Sequence, residues 1–239
     1  MRLFHSVVLV GLLSLGSVGA AHWGYEEDNG PSTWGQDYPE CNGMEQSPIN
    51  IISKDTASVA NALVIEYKAD SQNIINNGHS VQVNFAKNNT ITYSGQEYAL
   101  VQLHFHTPAE NTIDGKSYPL EMHLVHSSLD GKLLVIGVLF TEGEANTELQ
   151  KIIEATPEQS GVVRDFEGLN PANILPNKLS YYAFSGSLTT PPCSQNVQWV
   201  VLGQTISASK SQIDSLHAIV HTNARNTQPL NGRKIQSAQ

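Results

Sequence analysis

After its first twenty residues, the sequence has no apolar run that approaches the roughly 18 to 20 residues of a membrane-spanning helix. It also has no internal repeat, no low-complexity tract and no histidine-rich tract. Basic residues are few: 13 Lys and Arg against 22 Asp and Glu give a formal net charge of −9. This balance disfavours nucleic acid and anionic membranes as partners and favours solubility. It places no restriction on a small neutral substrate.

Cysteine is also scarce, with only Cys41 and Cys193 in the chain. An even number of cysteines in an exported protein predicts one disulfide, and the alternative is two free buried thiols. The 239 residues, 40% of them hydrophobic, are enough for one domain with a sizeable core. We therefore expect a single domain over residues 21–239.

Residues 1–20 are predicted to be a signal peptide. Arg2 supplies a positive charge, residues 3–18 are mostly apolar, and the small residues Ala20 and Ala21 mark the expected cleavage region. A membrane anchor is the competing interpretation, but the run is short and interrupted by polar residues. We expect the mature chain to be exported, periplasmic or secreted, and without a membrane anchor.

Strand patterns dominate the mature chain, and Asn-Gly and Asp-Gly turns separate several of the strands. The predicted strands are Leu63–Lys68, Ser80–Phe85, Ile91–Tyr93, Tyr98–Thr107, Tyr118–Ser127, Leu133–Thr141 and Val197–Ile206. Two helices are predicted, over Thr147–Ala155 and over Ser211–Val220, and Ser209 with Gln212 forms a capping box for the second. His217 and His221 on that helix are interpreted as surface or packing residues.

A histidine-bearing pair of strands carries the main chemical signal. His104 and His106 are two residues apart, so both imidazoles leave the same face of a strand, and Glu121 and His123 repeat that spacing on the next strand. If the strands are neighbours, three imidazoles converge and leave one open position on a tetrahedral zinc ion, as in catalytic sites. On spacing alone, ordinary polar strand histidines remain an equal alternative.

The surrounding residues resemble those of the α-class carbonic anhydrases of the secreted bacterial type. The shared motifs occur in the family's order and cover nearly the whole chain after the first twenty residues. They are H-W-G-Y (22–25), N-G-P (29–31), Q-S-P-I-N-I (46–51), N-N-G-H (76–79), L-H-F-H (103–106), E-M-H-L-V-H (121–126) and S-L-T-T-P-P (187–192).

The resemblance implies a mainly β (α+β) fold, in which a large, twisted and mostly antiparallel central sheet is surrounded by short helices. It implies reversible hydration of CO2 to bicarbonate at Zn²⁺ held by His104, His106 and His123. Gln102 and Glu121 would orient His104 and His123. The resemblance also supports a Cys41–Cys193 disulfide.

Further roles are implied in the same way. Thr189 would accept a hydrogen bond from the attacking hydroxide and donate its own proton to Glu110, and Thr190 would contact the product. His79 would carry protons to the buffer, helped by waters ordered by Tyr25, Asn77 and Gln82. The apolar wall for CO2 is expected to comprise Val125, Val135, Leu188 and Trp199, which strand patterns alone would assign to the core.

Two positions depart from the family pattern. Gln82 differs from the commonest residue, and Asn111 stands where many relatives have histidine. A non-catalytic binding protein on the same fold is the alternative function, although such relatives typically lack a zinc histidine. A zinc carrier would need histidine-rich tracts. Exported bacterial relatives are often dimers, so a homodimer is also an expectation.

Overall fold

The computed structural model describes residues 23–60 and 62–239. The predicted signal peptide and its cleavage site lie outside the described residues. No helix formed by the described residues is long and apolar enough to cross a membrane.

The described residues form mainly strands, with three α-helices. The strands are β1 (Asn50–Ile51), β2 (Ala57–Ser58), β3 (Leu63–Glu66), β4 (Ser71–Asn76), β5 (Val81–Phe85), β6 (Thr90–Tyr93), β7 (Gln96–His106), β8 (Thr112–Ile113), β9 (Leu120–Ser127), β10 (Leu133–Glu142), β11 (Val163–Asp165), β12 (Tyr181–Ser187), β13 (Gln195–Leu202), β14 (Ile206–Ala208) and β15 (Gln236–Ala238). The helices are α1 (Trp34–Asp37), α2 (Thr147–Ala155) and α3 (Lys210–Val220), and short 3₁₀ turns cover Pro39–Asn42, Ser53–Asp55 and Pro171–Ile174.

Most strands belong to one large mixed sheet. Its strands follow the order β11-β4-β5-β7-β9-β10-β13-β12-β15-β2. Three further strands lie off this order: β14 pairs with β10, β6 pairs with β7, and β3 pairs with β6. Neighbours are mostly antiparallel, while β10 pairs with β13 and β14, and β15 with β2, in parallel. The predicted mainly β architecture with a mostly antiparallel central sheet is confirmed.

Strand β10 lies at the centre of the sheet and is buried on both faces. Leu134, Ile136 and Val138 point into the larger core, and Val135 and Leu139 point into a second apolar cluster on the opposite face. This follows from the period-2 alternation of side chains along a strand. The apolar run over Leu133–Phe140 therefore supplies side chains to the apolar clusters on both faces of the sheet.

The two predicted helices are present and capped. The Asn146 side chain accepts hydrogen bonds from the N–H groups of Glu148 and Leu149 at the start of α2. Ser209 and Gln212 form the expected capping box at the start of α3. Each helix buries one apolar face on the sheet.

Several boundaries differ from the prediction. The segment Val197–Ile206 was predicted as one strand, but it is divided between β13 and β14. The chain between Val201 and Ile206 is longer than the stretch of β10 between their partners Gly137 and Phe140, so the extra residues loop out. The prediction missed strands β4 and β12 and the short strands β1, β2, β8, β11 and β15. The strand predicted to begin at Tyr118 begins at Leu120.

Cys41 and Cys193 form a disulfide, as predicted, with their Cα atoms 4.9 Å apart. Beside it, the rings of Trp23, Tyr25 and Trp34 make mutual edge-to-face contacts at 5.6–5.9 Å. This aromatic cluster therefore packs the early mature segment against the disulfide.

Candidate active site

The pairing of β7 with β9 brings the three predicted histidines together. In their antiparallel register His104 lies opposite His123, and His106 lies opposite Glu121. One ring nitrogen from each of the three histidines lies within 4.8 Å of the others. The imidazoles therefore surround one point on the face of the sheet opposite the larger core.

The second nitrogen of each ring faces a protein oxygen. His104 Nδ1 is 2.8 Å from Gln102 Oε1, and His106 Nδ1 is 2.7 Å from the carbonyl oxygen of Asn223. His123 Nε2 is 3.0 Å from Glu121 Oε1. These contacts leave Nε2 of His104, Nε2 of His106 and Nδ1 of His123 for the shared point. Gln102 and Glu121 occupy the positions that the sequence predicted for them.

Glu121 is itself held firmly. Its Oε2 accepts the backbone N–H groups of Glu110 and Asn111, and its Oε1 accepts the Asn111 side chain, each at 2.8 Å. A Cβ at Gly137, on the neighbouring strand, would lie 2.8 Å from Glu121 Oε1. Glycine is therefore needed there for the carboxylate to reach His123.

Glu110 lies beside the histidines and is fully buried. Its Oε2 is 3.5 Å from His106 Nε2 and 3.9 Å from His123 Nδ1, while its Oε1 accepts the N–H of Arg225 at 2.9 Å. Burial raises the pKa of Glu110 well above its usual value, and hydrogen bonds from Arg225 and from the Thr189 side chain oppose that rise. The predicted Thr189–Glu110 pair is therefore in contact.

The electrostatics of this site suit a cation. Burial lowers the pKa of His104, His106 and His123, so the imidazoles are neutral. Burial raises the pKa of Glu121 as well as that of Glu110, and the hydrogen bonds that each carboxylate accepts oppose this rise. His106 Nε2 is buried without a hydrogen-bond partner in the protein. A divalent metal would suit this set of groups, because it binds the free nitrogens of neutral imidazoles and stabilises nearby carboxylates in their ionised form.

An apolar wall adjoins the histidines. Trp199 and Val135 are buried, and Val125 and Leu188 pack against the same cluster while half-buried. The Trp199 ring lies 4.9 Å from the His123 ring, measured between centroids. All four residues predicted for the substrate wall belong to this cluster, which reaches the histidines through Trp199.

A cleft of about 140 Å³ leads from the histidines to the surface. Its lining residues are Trp23, Tyr25, Asn77, His79, Ser80, Gln82, Gln102, His104, His106 and Thr190. The ring of His79 stacks on Trp23 with centroids 3.9 Å apart. Every residue predicted to serve proton movement therefore lies on one path from the histidines to solvent.

Two buried residues near the site were missed by sequence analysis. Asn223 contacts His106, and Arg225 contacts Glu110. The Arg225 guanidinium also donates to Gln46, Ser47 and Cys41, which ties the site to the disulfide segment. Both residues follow α3 in a polar stretch whose pattern resembles an ordinary loop, so no local signal distinguishes them.

Fold and site together define a class of protein: a β-sheet domain in which three imidazoles that could hold a metal ion lie at the base of a solvent-reaching cleft. Comparisons with known proteins narrow this class. The family model described as eukaryotic-type carbonic anhydrase matches residues 29–239. Two curated relatives named carbonic anhydrase are each 41% identical, from Pectobacterium atrosepticum over 96% of both chains and from Klebsiella pneumoniae over 92% of both.

Solved structures agree with that match. The α-carbonic anhydrase of Thermovibrio ammonificans, in complex with the inhibitor sulfanilamide, has a TM-score of 0.88 at 39% identity and covers 91% of this chain and 100% of its own. The Photobacterium profundum α-carbonic anhydrase has a TM-score of 0.85 at 41% identity and covers 90% and 100%. The chain belongs to the eukaryotic-type carbonic anhydrase family, whose enzymes interconvert CO2 and bicarbonate.

Proposed function

We propose that this chain catalyses CO2 + H2O ⇌ HCO3⁻ + H⁺ with Zn²⁺ held by His104, His106 and His123. The observation that carries the proposal is the convergence of three neutral imidazoles on one point, with a cleft open to solvent on one side. Three nitrogen ligands leave a coordination position free, as catalytic zinc sites require. Zinc bound there acidifies water and so supplies a nucleophile near neutral pH.

The protein oxygen that faces the second nitrogen of each ring supports this ligand set. Gln102, the Asn223 carbonyl and Glu121 each fix one histidine in the orientation that keeps its other nitrogen free. Such partners raise the basicity of metal-binding imidazoles and hold their tautomers. The buried charge of Glu121, Glu110 and Arg225 is negative by one when both carboxyls are ionised, which favours a dication.

We assign orientation of the reacting water to the Thr189–Glu110 pair. An ionised Glu110 accepts a hydrogen bond from the Thr189 hydroxyl, so Thr189 Oγ1 can only accept a hydrogen bond from a group in the site. A hydroxide or water satisfies this rule, and an anion without a proton does not. The Arg225 N–H holds Glu110 Oε1 so that Oε2 stays beside the histidines.

We assign substrate binding to the apolar wall of Val125, Val135, Leu188 and Trp199. Carbon dioxide has no net dipole, so an apolar surface can hold it without a charged group. Thr190 lines the cleft beside this wall and is proposed to contact bicarbonate. Weak hydrolysis of activated esters is expected at the same site.

Proton removal is assigned to His79. Its ring lies in the cleft, where an imidazole can accept a proton and pass it to buffer. Asn77 and Gln82 are hydrogen bonded to each other at 3.5 Å and, with Tyr25, are proposed to order the connecting waters. The signal peptide over residues 1–20, export of residues 21–239 and a homodimer remain predictions.

The test combines metal content with stopped-flow CO2 hydration on one sample. His106→Ala should lose both bound zinc and hydration, because two imidazoles hold zinc much less tightly. His221→Ala, an exposed histidine at the end of α3, is the matched control and should keep both. Full hydration activity in zinc-free His106→Ala protein would rule out the ligand set.

A further inference from the structure

Asn223 is a fully buried residue that joins three parts of the active site. Its backbone N–H donates to the Thr107 carbonyl at 3.2 Å, and its carbonyl accepts from His106 Nδ1 at 2.7 Å. Its side-chain Oδ1 accepts the Thr107 N–H at 2.8 Å. Its Nδ2 donates to the carbonyl oxygens of Phe105 and His79, at 2.9 and 2.8 Å. Every polar group of this residue is therefore used.

Asn223 lies where the backbone pairing between β5 and β7 ends. Strand β5 pairs with β7 only over Gln82–Asn84 and Gln102–His104. Beyond that point, the turn that carries His79 is no longer in the backbone ladder. Two side chains connect the turn to β7 instead. Ser80 Oγ donates to the Phe105 carbonyl at 2.6 Å, and Asn223 Nδ2 donates to the carbonyls of His79 in the turn and Phe105 in β7.

Of these two bridges, only Asn223 contacts His79 itself. The turn is also held internally, since Asn77 Oδ1 accepts the N–H groups of His79 and Ser80. Those bonds fix the shape of the turn but not its distance from β7. The carboxamide of Asn223 thus ties the backbone of His79 to the strand that carries His104 and His106.

We propose that Asn223 is a positioning residue for proton transfer, in that its side chain holds the backbone of His79, and with it the ring stacked on Trp23, at a fixed distance from the histidine triad. The inference rests on the proposed shuttle role of His79. Proton transfer through ordered water depends steeply on geometry, and a misplacement of about 1 Å in an active site can cost on the order of 10²-fold in rate. The backbone carbonyl of Asn223 orients His106, and the side chain of Asn223 positions His79, which accepts the proton.

The test variant is Asn223→Asp. It has nearly the same size and keeps the acceptor for the Thr107 N–H, but it replaces both donors with an oxygen that faces two carbonyls. In weak buffer, kcat should fall several-fold while kcat/KM for CO2 falls much less, because the backbone carbonyl still holds His106. Asn223→Ala, which removes the bonds without adding repulsion, is the second variant and should shift kcat in the same direction.

Two controls separate this role from a general structural one. Ser80→Ala removes the bridge that does not touch His79 and should lower kcat less than Asn223→Asp. In a His79→Ala background, Asn223→Asp should have no further effect on kcat in weak buffer, since the group it positions is gone. Added imidazole should restore the kcat of Asn223→Asp.

A readout without activity is hydrogen–deuterium exchange of residues 77–80 in metal-free protein. Exchange of these amides should be faster in Asn223→Asp and Asn223→Ala than in the unsubstituted chain. The proposal is overturned if exchange of these amides is unchanged in both variants. It is also overturned if Asn223→Asp lowers kcat and kcat/KM equally, both in the unsubstituted chain and in the His79→Ala background. If His79→Ala alone leaves kcat unchanged in weak buffer, the shuttle assignment fails instead.

Discussion

Asn111 donates two hydrogen bonds to Glu121, one from its backbone N–H to Oε2 and one from its side chain to Oε1, each 2.8 Å long. Asn111 is one of the two positions where this chain departs from the family pattern. It is linked to His123 through Glu121, whose Oε1 also lies 3.0 Å from His123 Nε2. The asparagine preserves support for the carboxylate, and its Oδ1 additionally accepts the N–H of Ile49.

Asn111→Ala should weaken zinc binding about 10- to 100-fold, the usual cost of losing an outer partner of a metal ligand. It should also lower the free energy of unfolding by about 1–3 kcal/mol, because the buried Ile49 N–H loses its acceptor. Competition with a chelator measures the first effect. Thr112→Val removes a hydroxyl that donates to Asn50 Oδ1 at 2.7 Å, away from Glu121, and should leave zinc affinity unchanged. Equal zinc affinities for both variants would show that Glu121 does not need Asn111.

His79→Ala should slow turnover in weak buffer and be rescued by added imidazole, since the removed group transfers protons after the hydration step. The effect should appear in kcat much more than in kcat/KM for CO2. Stopped-flow assays at several buffer concentrations measure this. A kcat that does not respond to either the substitution or imidazole would remove His79 from the mechanism.

Reduction of the Cys41–Cys193 disulfide should lower the free energy of unfolding by about 4–5 kcal/mol, the chain-entropy estimate for a closed loop of 152 residues. Urea unfolding with and without reductant measures the loss, and mass analysis after alkylation reports the thiols. Finding two alkylatable thiols before reduction would contradict the bridge. The Cys41→Ser/Cys193→Ser double variant should have the same free energy of unfolding as the reduced protein.

His126 predicts a pH dependence of stability that is independent of the metal site. Burial lowers its pKa to about 3, and its ring bonds to Tyr67 at 2.6 Å and to the Leu134 carbonyl at 3.2 Å. Below pH 6.5 the unfolded chain binds a proton that the folded protein rejects. The free energy of unfolding therefore falls as pH drops from 6.5 towards 3, by about 2 kcal/mol at pH 5 from this residue.

Urea unfolding at pH 7 and pH 5 measures this contribution. The Tyr67→Phe/His126→Leu double variant removes both members of the buried hydrogen bond, so its loss of stability between the two pH values should be about 2 kcal/mol smaller than that of the unsubstituted chain. The other histidines contribute equally to both proteins. An identical loss in the two proteins would mean that His126 titrates normally in the folded state.

Local patterns predicted the elements that carry the site. Alternation along Tyr98–Thr107 and Tyr118–Ser127 placed three histidines and Glu121 on one face, and the register of β7 with β9 brought them together. The capping signal of α3 was equally local. Roles for Thr189, Glu110 and the apolar wall came from family resemblance, because a Thr-Thr-Pro-Pro loop or a buried valine has no distinct pattern of its own.

Contacts between distant segments could not be predicted. Asn223 and Arg225 are more than 110 residues from their partners His106 and Glu110, and nothing in the Asn223–Arg225 stretch indicates burial. The division of Val197–Ile206 into two strands was also missed, because it depends on the unequal spacing of two parallel partners along β10.

The most direct test is a zinc titration of metal-free protein followed by stopped-flow CO2 hydration. Hydration activity should be absent at the start, rise in proportion to added zinc, and stop rising at one zinc per chain. The His106→Ala variant should gain no activity over the same range. Hydration by the metal-free chain, or no activity after one equivalent has bound, would contradict the proposed zinc site.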